Sequence, residues 1–157
     1  IGEYDTVPAH RGIFLPESRR MHPDICRFIS EQVYDSRLNS HPTCANQVIG
    51  PRLPEGVPVG SGLRRIEVRH AGNRVESREE VLAVVFYSMT ASDALDLSRG
   101  VEFLFGLDRL NVAISRARAL AVLVYSPTLL IASCRTAEEV RLVNAVCRLA
   151  DLATPLT

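Results

Sequence analysis

The stretch of this chain richest in chemistry is Arg109-Leu110-Asn111-Val112-Ala113-Ile114-Ser115-Arg116-Ala117-Arg118. Wound as a helix at about 100° per residue, it places Leu110, Ile114 and Ala117 within about 60° of one another, a stripe for burial. Arg109 and Arg116 stand seven residues apart and project along one edge, while Arg118 points well away from Arg116. Guanidinium groups are planar, always charged and bidentate, which suits them to gripping phosphate. The same geometry also serves arginines that lay their stems over the apolar stripe or pair with Glu102 and Asp108. Helix geometry alone favours that second role. A further basic pair, Arg19-Arg20, precedes Met21-His22-Pro23. The hydroxyls of Ser88, Thr90 and Ser92 follow an apolar run, where they either bond nucleic-acid phosphates or cap a loop.

What is missing narrows the chemistry further. The chain has 157 residues and zero formal charge, with 18 basic residues against 18 acidic ones. All 18 are arginine, because there is no lysine. A conventional phosphate-binding loop, GxxxxGK[ST], needs a lysine on the β- and γ-phosphates, and Schiff-base chemistry needs one too. Cys26, Cys44, Cys134 and Cys147 form no CxxC pair, and His10, His22, His41 and His70 are equally scattered. Buried thiols in a reducing, cytoplasmic setting are therefore expected, and no metal site. No run approaches the roughly 20 apolar residues of a membrane span. The opening IGEYDTVPAHRG lacks the apolar stretch of a secretion signal, and a first residue of Ile suggests a fragment.

The elements that must position these residues read as follows. Gly12-Ile13-Phe14-Leu15 has the look of a short buried strand. Pro23 suits a helix first turn, and Ile25, Phe28, Ile29 and Val33 give one apolar face as far as about Tyr34. Prolines and glycines from Asn39 to Gly62 predict a connection with little regular structure. Leu63 to Arg69 has a strand-like centre, Ser77 and Glu80 have capping-box spacing, and Leu82 to Tyr87 reads as a buried parallel strand. Only Val81 separates that capping pair from the strand, whereas a crossover needs about a dozen residues, so missing residues are expected at Val81/Leu82. A helix over Asp108–Arg118, a strand over Ala119–Tyr125, and a final helix capped by Thr136 and Glu139 with Leu142, Val146 and Leu149 inward complete the pattern. Strands alternating with helices predict one α/β domain over residues 1–157 with a mainly parallel sheet.

RLNVAISRAR resembles motif VI of superfamily 1B helicases, the group that includes the RNA-surveillance and Okazaki-fragment-processing enzymes. Arg20-Met21-His22-Pro23 resembles motif IV of the same group, and the two occur in the family's order. Val85–Ser92 and Arg99–Leu104 are similar to the segment between motifs V and VI, in particular in bacterial helicases fused to a RecB-type nuclease domain. The resemblance runs from Gly12 to about Ala150 and implies a RecA-like three-layer domain without the phosphate-loop half. It implies that Arg20 and Arg116 reach the γ-phosphate of ATP as catalytic groups. Beside them Arg19 is expected at the nucleotide base, and Arg109 is expected either to support the same nucleotide-binding edge or to orient an acidic neighbour; Ser88 and Thr90, from their place after the apolar run, are the candidate nucleic-acid contacts. Ser18 and Arg19 replace the family's Gln-Tyr, whose tyrosine stacks on the base, and the flat guanidinium of Arg19 is the candidate substitute. The GxE-containing motif V is absent, and its place immediately before Leu82 coincides with the expected gap.

The partners implied are the N-terminal RecA-like domain of the same full-length protein, which would hold ATP and most of its Mg²⁺, single-stranded nucleic acid (DNA before RNA), and a fused nuclease domain. The isolated domain is expected to be inactive. Two other readings stay open. A degenerate RecA-like interaction module explains the missing motif V and lysine but not the two arginines. A nuclease would need a D/E…ExK carboxylate cluster that the sequence does not contain.

Overall fold

The computed structural model describes residues 12–50, 60–69, 87–89 and 105–156. The Ser77/Glu80 capping pair, the expected gap at Val81/Leu82, most of the Leu82–Tyr87 run, Thr90, Ser92 and the Arg99–Leu104 stretch lie outside these residues.

The first predicted helix is α1, Pro23–Val33. Pro23 stands in its first turn, where a missing N–H breaks no helical bond, and His22 caps it by accepting the Asp24 N–H on Nδ1 at 3.3 Å. Ile25, Phe28 and Ile29 are buried on one face. Two short strands flank the helix and pair in parallel: β1, Glu17–Ser18, and β2, Asn39–Ser40. The strand expected at Gly12–Leu15 does not form, and Ile13 and Leu15 are 92% and 75% exposed. Pro16 offers no N–H to extend a ladder, so pairing begins only at Glu17. Phe14 instead packs beside Tyr34 at 6.0 Å and lies under the Arg37 guanidinium at 4.3 Å.

Within the expected Asn39–Gly62 connection, the described residues 39–50 and 60–62 carry more regular structure than their composition suggests. A 3-10 turn at Pro42–Asn46, capped by His41, follows β2, and Ile49 bridges Gly60 through two backbone bonds of 2.8 Å. Beyond it come β3, Gly62–Glu67, and β4, Tyr87–Met89. Helix α2 spans Leu107–Ser115, strand β5 Leu120–Tyr125, helix α3 Ala137–Leu152 and strand β6 Thr154–Pro155. The last four strands make one sheet in the order β4-β5-β3-β6, every pair parallel. The expected α/β class with parallel sheets is therefore what the chain adopts. Pro155 sits on the outer strand, where its lack of an N–H breaks no ladder.

Strand β5 is buried on both faces, as a continuous apolar run requires. Ala121, Leu123 and Tyr125 face the main core, which takes Ile25, Phe28 and Ile29 from α1, Leu110 and Ile114 from α2, and Leu142, Val146 and Leu149 from α3. Each large side chain buried there contributes about 1.5–3 kcal/mol relative to exposure. Leu120, Val122 and Val124 face the other way and meet Ile49, Ile66 and Val68. The Thr136/Glu139 capping box forms as predicted. Cys26 and Cys44 are buried, and burial pushes the Cys26 thiol up from its ordinary range. Among the described residues no helix is long and apolar enough to cross a membrane.

Helix α2 ends earlier than expected. It stops at Ser115, Arg116 is its C-cap residue with helical backbone angles, and Arg118 lies beyond it in a bend. The Ala117 N–H reaches back only to the Ile114 carbonyl at 3.1 Å, a tight closing turn that lets the chain enter β5 at Leu120.

Candidate functional site

The segments carrying Arg19 and Arg20 and carrying Arg116 and Arg118 are gathered by backbone bonds at the amino ends of β3 and β5. The His22 N–H, at the entrance to α1, donates to the Arg118 carbonyl at 2.8 Å. The Gly62 N–H, at the start of β3, donates to the Ala119 carbonyl at 2.7 Å. Gln47, just past the 3-10 turn, sits between the same strands of chain. Its amide is oriented by its neighbours so that Nε2 donates to the carbonyls of both Arg20, at 2.8 Å, and Arg118, at 2.7 Å. The segment carrying Arg19 and Arg20 thus lies directly against the segment carrying Arg116 and Arg118, although 95 residues separate Arg20 from Arg116 (116 − 20 − 1).

The side chains of Arg20, Arg116 and Arg118 are exposed, and among the described residues none of them forms an ion pair. Arg19 differs: its Nε meets Glu17 Oε1 at 3.0 Å. Both partners are largely in solvent, so the pair is worth less than about 1 kcal/mol and leaves Arg19 able to turn elsewhere. A second carboxylate at the junction is that of Asp24, whose Oδ2 lies 3.6 Å from His22 Nδ1. It also limits what can stand at residue 62. A Cβ on Gly62 would come within 2.6 Å of Asp24 Oδ2, and Gly62 has a φ of +79°.

Arg109 is placed elsewhere. It borders a cleft of about 440 Å³ with Gln32 and Val33 from the end of α1, Asp108 from the start of α2, and Glu138 from α3. The start of α1 adjoins the residues after α2, and the end of α1 adjoins the start of α2, so the two helices run antiparallel. Arg109 and Arg116 are consequently separated by about 10 Å along the α2 axis, at 1.5 Å per residue. Ser88 lies within β4, paired in register with Val124 near the carboxyl end of β5. That is about 13 Å along the sheet from Leu120, where β5 begins, at about 3.3 Å per residue. Ser88 and the arginines therefore occupy opposite ends of the sheet.

Chemically, the amino-end junction offers the guanidinium groups of Arg20, Arg116 and Arg118, without acidic partners among the described residues, as a donor set for anionic oxygens. The sequence singled out Arg20 and Arg116 through the motifs they resemble, and no motif marked Gln47 or Gly62. The paired glycines Gly60 and Gly62 signal a turn, but Gln47 carries no signal of spacing or pattern. Comparison with protein-family models, curated proteins and solved structures finds no match to this chain.

Proposed function

We propose that this chain is the second RecA-like domain, of three-layer architecture, of a superfamily 1B helicase, acting in the cytoplasm. In this reading it supplies Arg20 and Arg116 to ATP held on a neighbouring RecA-like domain of the same protein. The observation that carries the proposal is the 2.8 Å bond from the His22 N–H to the Arg118 carbonyl, which lays the two arginine-bearing segments side by side. Their position at the amino ends of the strands supports action in trans. A parallel sheet that holds its own ligand does so outside the carboxyl ends of its strands. With no lysine in the chain, the triphosphate and its Mg²⁺ belong to the neighbouring domain.

The residues present fit that task. Phosphoryl transfer spreads negative charge over the γ-phosphate oxygens, and a guanidinium held in place across a cleft stabilises it. Such a group is worth about 10³–10⁵ in rate, or about 4–7 kcal/mol. Because donor and phosphate loop lie on separate bodies, the cleft must close for hydrolysis, and it reopens when the shared ligand is lost. That alternation moves the protein along single-stranded nucleic acid, with DNA as the first candidate. Ser88 and Thr90 are the proposed contacts to that strand, and Arg19 the proposed platform for the base.

The test is ATP hydrolysis by the full-length protein. Arg116→Ala and Arg20→Ala should each lower kcat by about 10³ or more. A kcat within about threefold of wild type for Arg116→Ala would remove the arginine from the reaction and leave the interaction-module reading in its place.

A further inference from the structure

We infer that Gln47 is a positioning residue that sets the spacing between Arg20 and Arg116. The inference rests on the helicase reading above and deepens it. Two carbonyl oxygens, those of Arg20 and Arg118, converge on one amide nitrogen at 2.8 and 2.7 Å. A primary amide has two N–H groups on that nitrogen, so one side chain satisfies both acceptors. Few side chains can do this. Glutamate is the same shape but has only acceptors at neutral pH, and asparagine is one carbon too short to reach both.

Gln47 is itself held in place from several directions. Its N–H closes the 3-10 turn on the Cys44 carbonyl at 3.2 Å, and Cys44 is buried. The cap of that turn, His41, donates its N–H to the Ser18 carbonyl at 2.8 Å, two residues before Arg20. Two residues after Gln47, Ile49 is bonded to Gly60 in both directions at 2.8 Å. The amide is therefore fixed to the sheet and the turn, and it holds the backbone on either side of the arginine pair.

The functional weight of such a clamp follows from preorganisation. Two guanidiniums that must meet one phosphoryl group gain from a fixed separation, and a misplacement of about 1 Å can cost a hundredfold in rate. Gln47 touches no reacting atom and acts only through the backbones of Arg20 and of Arg118, two residues after Arg116. Its contribution should vanish when the arginine side chains are gone.

That dependence defines the experiment, done on the full-length protein with ATPase kcat, KM for ATP and Tm as readouts. Gln47→Glu and Gln47→Ala are made in wild type and in an Arg20→Ala/Arg116→Ala background. The alanine variant covers the case in which the carboxylate prevents folding. In wild type, kcat should fall about tenfold to a hundredfold while KM changes less than about threefold. In the arginine-free background, the residual kcat should change less than about twofold, the non-additivity expected of residues acting as a unit. An equal factor in both backgrounds would mean a general structural role and would overturn the inference, as would an unchanged kcat in wild type. If Arg20→Ala/Arg116→Ala itself leaves kcat intact, the helicase reading falls and the clamp with it. A large arginine effect beside a silent Gln47 removes the clamp alone.

Discussion

At the level of single residues, the junction depends on a glycine as much as on its arginines. Gly62 adopts a φ of +79°, a region that side chains other than glycine rarely enter, and a Cβ there would meet Asp24 Oδ2 at 2.6 Å. Its N–H also ties the start of β3 to the Ala119 carbonyl. Gly62→Ala should therefore destabilise the protein by more than about 1 kcal/mol, read as a lower denaturation midpoint at unchanged m-value. Asp24→Ala, by opening the space, should recover the steric part of that loss but not the φ part. Equal stability of Gly62→Ala and wild type would mean that the strand start can shift freely. The contrast between Gly62 and Gln47 shows what residue-level reading can reach. Glycine advertises unusual backbone through its own chemistry. A lone glutamine matters only through two carbonyls that the fold brings to it, and nothing in its neighbours along the chain marks them.

Elements were legible wherever local physics decides them. Helix α3 begins where Thr136 and Glu139 predict, because both halves of the box close. Thr136 Oγ1 accepts the Glu139 N–H at 3.1 Å, and Glu139 Oε2 accepts the Thr136 N–H at 3.2 Å. The same Glu139 oxygen takes the Arg135 N–H at 2.5 Å, so one carboxylate satisfies two donors. Thr136→Ala removes one half and should cost about 1 kcal/mol, lowering Tm by about 2–4 °C for a chain of this size. An unchanged Tm would show that Glu139 alone suffices at this helix end. The buried strand β5 was equally plain, since six successive apolar residues fit only a position covered on both faces. The misread elements are those settled by long-range partners. Gly12–Leu15 looks apolar enough for a strand, but Pro16 interrupts the ladder and the neighbouring edge is claimed at Glu17. The end of α2 is set by the distance to β5, not by any cap in its own residues. Extending it to Arg118 would have carried the chain past the point where Leu120 must pair with Gly62.

For the molecule as a whole, the parallel sheet sorts the chemistry by end. The arginine junction lies at the amino ends of β3 and β5, while β4 sets Ser88 near their carboxyl ends. The sequence pattern predicts a parallel sheet but cannot say which loops share an end of it; that needs the strand order β4-β5-β3-β6. The antiparallel pairing of α1 and α2 adds a second separation, because it carries Arg109 to the cleft beside Gln32 and Val33, away from Arg20. Helix periodicity had put Arg109 and Arg116 on one edge, and both statements hold: one edge of a helix two turns long still spans about 10 Å. On the helicase reading, the γ-phosphoryl group met by Arg116 is much smaller than that, so Arg109 is not expected on the same phosphate oxygens. In the full-length protein, Arg109→Ala should therefore leave kcat within about threefold of wild type, while Arg116→Ala costs about 10³. The comparison is a measurement of geometry, since the two side chains share charge, donor set and helix. Equal losses would mean that the neighbouring domain docks along the whole of α2, with its nucleotide crossing the helix instead of meeting one end of it.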